Sequence, residues 1–156
     1  MKHTISILVR NQFGVLARIS GLFSGRGYNI DSLCVAETQN PDYSQMTIVA
    51  RGDNDILEQI NKQLNKLVDV VKVSDFHDKE CVIRELALIK VNATSQTRGE
   101  IMQIVNVFRG KIVDISNKSI TIEVTGPEDK VNAMIKMLEP FGIKEIAKTG
   151  RVAMAR

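Results

Sequence analysis

Asn11, Gly14 and Asn29 are the residues whose types and spacing suit ligand chemistry. The first two lie in Arg10-Asn11-Gln12-Phe13-Gly14-Val15-Leu16 and the third in Gly27-Tyr28-Asn29-Ile30. Each asparagine offers an amide donor and an acceptor. Gly14 lacks a Cβ, so a small molecule can come close to the backbone there. If a helix starts at this glycine, its first N–H groups are unpaired, carry partial positive charge and can seat a carboxylate. This set reads as a cradle for a free amino acid. Glycine and asparagine at such a turn also serve turn geometry and capping, and the local sequence leaves both readings open. Nothing in it forms a nucleophile–base pair.

The surrounding periodicities predict the elements that hold these residues. Alternation over His3–Arg10 gives a strand, followed by a helix from about Gly14 to Ser24 with Val15, Leu16, Ile19, Leu22 and Phe23 on its buried face. Gly25-Arg26-Gly27 ends that helix. Strands over Asn29–Glu37 and Tyr43–Arg51 flank the turn Asn40-Pro41-Asp42. A second helix carries Ile56, Leu57, Ile60, Leu64 and Leu67, opened by a capping box between Asp55 and Glu58. The β-branched run Val70–Phe76 closes the first half.

His77-Asp78-Lys79-Glu80 is a charged break, which puts one domain at 1–78 and another at 79–156. His77, Asp78 and Cys81 match no metal-ligand spacing, so a solvated linker is expected and no metal site. The order of elements then repeats. Glu85–Asn92 is a strand, and Thr97 with Glu100 caps a helix bearing Ile101, Ile104, Val105 and Phe108. Lys111–Ser116 and Ser119–Thr125 form a hairpin, Pro127 sits in the first turn of the last helix, and Ile143–Lys148 is the final strand. Met46–Gly52 lies over Ile120–Gly126 at a shift of 74, and Gly14 and Leu16 over Gly99 and Ile101 at a shift of 85. The fold class is therefore α+β, two tandem ferredoxin-like βαββαβ domains. Gln96 and Gly99 echo Asn11 and Gly14 without a comparable motif, so no second site is expected.

Composition narrows the function classes. The chain has 156 residues, 44% hydrophobic and 25% charged, with 4% aromatic and no Trp, so the core is aliphatic. The first 78 residues hold 8 basic and 9 acidic side chains, the rest 13 and 9, an excess too scattered for a nucleic-acid footprint. RNA-recognition domains share this plan but stack bases on strand aromatics, and strands one and three are aliphatic apart from Tyr43. An acylphosphatase-like enzyme needs a glycine-rich arginine loop, which is missing. No apolar run is long enough for a membrane span, and Met1-Lys2-His3-Thr4 has no signal-peptide organisation. With only Cys34 and Cys81, a reducing cytoplasm is expected. Strand two, Ile30-Asp-Ser-Leu-Cys-Val-Ala36, is too apolar for a free edge, which predicts side-by-side pairing with a second chain. Asn29 would then face helix one of the partner, and the cradle would lie between subunits.

The segment Arg10–Leu33 closely resembles the signature of the acetolactate synthase small, regulatory subunit. Leu57–Val70, Glu85–Val91, Phe108–Asp114 and Thr149-Gly-Arg extend the resemblance over nearly the whole chain. It implies a first domain of ACT type that forms a homodimer and binds L-valine between subunits, and a non-catalytic chain. It also implies a catalytic large subunit as partner, which carries thiamine diphosphate, Mg and FAD and is activated and placed under feedback inhibition. The pathway implied is branched-chain amino-acid biosynthesis. Asn11, Gly14 and Asn29 stand at the family's valine contacts, and Val15, Leu16, Ile30 and Val35 are carried over as core or pocket wall. One methylene discriminates weakly, so leucine and isoleucine are not excluded. A stand-alone tandem ACT sensor with another partner is the alternative.

Overall fold

The computed structural model describes residues 2–77 and 79–156. Asp78, in the charged break, lies outside the described residues. The chain divides into two units, residues 1–82 with 151–156, and residues 83–150. That differs from a break at 78/79 in one respect that matters: the C-terminal six residues return to the first unit.

The first unit runs β1 (Lys2–Arg10), α1 (Val15–Gly25), β2 (Asn29–Glu37), β3 (Tyr43–Arg51), α2 (Asn54–Lys66) and β4 (Val70–Asp75). Its sheet order is β2-β3-β1-β4, with β2 on one edge. Ile5, Ile7 and Val9 of β1 and Met46, Ile48 and Ala50 of β3 share one face with Val15, Ile19 and Phe23 of α1 and Leu57, Ile60 and Leu64 of α2. Burying these aliphatic stripes, at about 1.5–3 kcal/mol per side chain, holds both helices on that face. Buried His3 ties the layers together: its Nδ1 lies 3.2 Å from Asp75 Oδ2 and its Nε2 2.7 Å from Asn54 Oδ1.

The second unit contains most of β5 (Cys81–Asn92), then α3 (Arg98–Val107), β6 (Lys111–Ile115), β7 (Ser119–Gly126), α4 (Glu128–Leu138) and β8 (Ile143–Lys148). Strand order β6-β7-β5-β8 repeats the first plan. The registers correspond residue for residue: Ile5 opposes Ile48 as Ile89 opposes Ile122, and Ile7 opposes Met46 as Val91 opposes Ile120. Both halves thus carry the ferredoxin-like α+β plan read from the repeat. A further strand, β9 (Val152–Ala155), pairs with β5 and was not expected from the sequence.

The helix starts correct three local expectations. Asp53, and not Asp55, is the N-cap of α2, its carboxylate accepting the Asp55 N–H at 3.1 Å. Thr97 makes no side-chain cap on α3; its hydroxyl instead accepts the Thr94 N–H at 2.9 Å. Pro127 is the residue before α4 and not part of its first turn. A cap of the Asp53 kind is worth about 1 kcal/mol, so Asp53→Ala should lower stability by that amount in urea denaturation. Glu58→Ala should change it by less than about 0.5 kcal/mol, because no capping box forms.

Candidate functional site

β1 ends at Arg10, and the chain turns through Asn11–Gly14 into α1. Gly14 takes φ 78° and ψ −1° as the N-cap, a left-handed conformation that L side chains resist. A Cβ built on it would meet nothing within 4 Å, so the backbone there is open to approach. No side chain caps α1. The Val15 N–H reaches Gln12 O at 3.5 Å and the Arg18 N–H reaches Gly14 O at 3.0 Å, which leaves the Leu16 and Ala17 N–H groups available to a carboxylate.

Asn11 is held in place by its neighbours. Its N–H donates to Asp42 O at 2.7 Å, and its amide Nδ2 to Pro41 O at 3.2 Å and Glu37 Oε1 at 3.4 Å. The amide oxygen has no acceptor duty among the described residues and stays free for an ammonium group. Glu37, at the end of β2, adds a carboxylate beside it. Sequence reading gave Glu37 no role. An acid closing a candidate edge strand was the available signal, but only the β2–β3 hairpin brings it to Asn11.

The other predicted residues separate into three places. Leu16, 43% exposed, and Val35, 41% exposed, belong to the same end of the sheet as Asn11 and Gly14. Val35 and Leu33 oppose Met46 and Ile48, so both point to the helix side of the edge strand and extend the apolar surface beyond the core. Val15 does not join them: it is 5% exposed and packs in the core, because the first turn of α1 rotates it inward and Leu16 outward. This also corrects Leu16 as a buried-face residue. Ile30 is partly buried against that core.

Asn29 opposes Arg51, whereas Asn11 bonds to Asp42, the residue before β3 begins. The length of β2 lies between them, about 26 Å at about 3.3 Å per residue. One chain therefore cannot close Asn11, Gly14 and Asn29 around an amino acid. At its own end Asn29 donates to Asp31 Oδ1 at 3.3 Å, and Asp31 accepts from Arg51 Nε at 2.7 Å.

Residues 5–72 match the family described as an AHAS small subunit-like ACT domain, and residues 84–156 that described as the small subunit of acetolactate synthase. A probable acetolactate synthase small subunit of Archaeoglobus fulgidus is 54% identical over 156 residues, spanning 100% of this chain and 98% of the relative. The chain belongs to the acetolactate synthase small-subunit family. A second small-subunit relative, from Aquifex aeolicus, is 56% identical over 156 residues and is spanned to 81% of its length. The crystal structure of the small subunit from Thermotoga maritima superposes with a TM-score of 0.91 at 44% identity, covering 100% of this chain and 98% of that one. The first unit is accordingly the ACT domain of a small-subunit chain. Among the described residues no helix is long and apolar enough to cross a membrane, and no cluster of His, Cys, Asp and Glu could hold a metal ion.

Proposed function

We propose that this chain is the non-catalytic regulatory subunit of acetolactate synthase in the cytoplasm, acting in branched-chain amino-acid biosynthesis. It dimerises through β2 and binds L-valine between the two copies. It also joins a catalytic large subunit, which it activates and places under feedback inhibition. On this reading the thiamine diphosphate, magnesium and flavin belong to the large subunit.

The observation that carries the proposal is the strand-length separation of Asn11 and Gly14 from Asn29, combined with an open apolar edge between them. Two-fold antiparallel pairing of two β2 strands would lay the Asn29 end of each against the Glu37 end of the other. Asn29 of the partner subunit then completes the set of Asn11, Gly14 and Glu37. The α1 N–H groups take the carboxylate, the amide oxygens and Glu37 take the ammonium, and Leu16, Leu33 and Val35 face the aliphatic chain. The whole exposed surface of Phe13, beside Leu16, adds apolar area to the same edge.

Valine bound across two subunits biases their arrangement, and the large subunit responds to that arrangement. Couplings of this kind are typically about 1–3 kcal/mol, and by linkage the large subunit must alter valine affinity by the same factor. Calorimetric titration of the isolated protein with L-valine, L-leucine, L-isoleucine and D-valine tests the site. Saturable binding of the L-amino acids at two sites per dimer, one per chain, is expected, with D-valine silent. Equal heats for both enantiomers of valine would remove the three-point cradle from consideration. Co-purification with a thiamine-dependent large subunit tests the partnership, which family membership favours over a stand-alone sensor.

A further inference from the structure

The face of the first sheet that carries no helices holds a cavity of about 470 Å³, lined entirely by residues of the first unit. Ser6 and Leu8 of β1 oppose Ser74 and Lys72 of β4, so the four side chains share this face. Phe76 and, from β9, Ala153 and Met154 supply apolar walls beside Leu8. Each strand contributes something different. The result is a pocket with one polar corner and one apolar body, the usual organisation of a small-molecule site.

The polar corner is not neutralised from within. No acidic residue lines the cavity, and among the described residues nothing pairs with the Lys72 ammonium. Ser6 is only 6% exposed; its oxygen accepts from Gln45 Nε2, and among the described residues its own O–H donates to no side chain. Ser74 stands directly opposite, and among the described residues its hydroxyl has no side-chain partner. A buried hydroxyl whose hydrogen goes unused costs stability unless something accepts it. A carboxylate placed between Ser6, Ser74 and Lys72 would accept from all three, with charge-assisted bonds to the ammonium.

We infer that this groove is a second ligand site, for a short aliphatic monocarboxylate lacking an ammonium group. Lys72, Ser6 and Ser74 hold the carboxylate, and Leu8, Phe76, Ala153 and Met154 hold the aliphatic chain. Thr38, Gln39 and Gln45 add neutral polar groups to the lining, but Lys72 is its one charged side chain, and repulsion between two ammonium groups disfavours an amino acid. Because β9 forms one wall, occupancy fastens the C-terminal strand to the sheet of the first unit. The inference uses none of the residues assigned to valine.

The test is a methyl and amide NMR titration of the full-length protein with 3-methylbutanoate, beside 3-methylbutylamine of the same shape and opposite charge. Saturable shifts at Leu8, Ala153 and Met154 with the acid alone are expected, and Lys72→Met should weaken binding about tenfold or more. Lys72 and Met154 are exposed, so Lys72→Met and a second variant, Met154→Asp, keep the fold; Met154→Asp should repel the acid as well. Gly14→Asp should leave this titration unchanged, which separates it from the valine site. Equal shifts with acid and amine, or undiminished binding by Lys72→Met, would overturn the assignment. So would shifts at these positions that follow protein concentration without any acid, which would make the groove a contact between copies.

Discussion

Gly14→Asp is expected to abolish valine binding while leaving the ACT domain folded. The native φ of 78° is left-handed, a region that costs ordinary L residues about 1–2 kcal/mol and aspartate less. The new Cβ meets no atom within 4 Å, so no steric term adds to that cost. The new carboxylate instead projects into the space above the first turn of α1, where the ligand carboxylate belongs. Two like charges about 4 Å apart repel by about 4 kcal/mol at an effective dielectric of 20. Even half of that lowers valine affinity by roughly thirtyfold, and a loss of a hundredfold or more is the expected result. Gly14→Asn separates the causes. It keeps similar left-handed tolerance without the charge, and it should retain far more binding than the aspartate. Calorimetry reports the affinity and urea denaturation the fold. Wild-type valine affinity in a folded Gly14→Asp protein would place the site elsewhere.

Replacing Leu33 and Val35 together by lysine should yield a monomer that no longer binds valine. Both side chains are exposed on the helix side of the edge strand, so the single-chain fold loses little, within about 0.5 kcal/mol at each position. Across a two-fold axis the same substitutions bring four ammonium groups to one seam and remove its apolar contact. Edge lysines are a common natural device against strand pairing. Sedimentation velocity should show the dimer dissociation constant raised by about a hundredfold, close to 2.8 kcal/mol. Valine heats should vanish with the dimer. A stricter form mixes the Gly14→Asp and Asn29→Ala proteins, each silent alone. Half of the randomly formed dimers then contain one intact site, restoring about a quarter of the wild-type sites under two-fold symmetry. A site built within one chain would show no restoration.

Much of this protein is legible residue by residue, and the failures have a common cause. Periodicity located eight strands and four helices because each pattern is local: alternation puts Ile5, Ile7 and Val9 on one face, and helical spacing does the same for Leu57, Ile60 and Leu64. Where two neighbours compete, as with Val15 and Leu16 or Asp53 and Asp55, the pattern lacks the phase. One turn of backbone decides which side chain goes inward and which carboxylate meets an N–H. β9 was missed because four residues have too little period to register, and its partner strand β5 lies far back in the chain. Glu37 was missed for the same reason: its place beside Asn11 arises from a hairpin, not from spacing. The second repeat shows the converse. Gly99 matches Gly14 by alignment, but it sits inside α3 and the left-handed N-cap is absent, so the echo has no cradle.

The amino-acid sequence alone determined the two βαββαβ units, the aliphatic core, the glycine turn and the two asparagines, since each depends on side-chain type and near-neighbour order. Tertiary structure alone decided that Asn11 and Asn29 stand at opposite ends of the sheet, that Val15 is core, and that the C-terminal strand walls a groove in the first unit. Those outcomes follow from antiparallel pairing over long loops, where one register fixes every distance along the strand. That register sets Asn11 and Asn29 a strand's length apart within one chain.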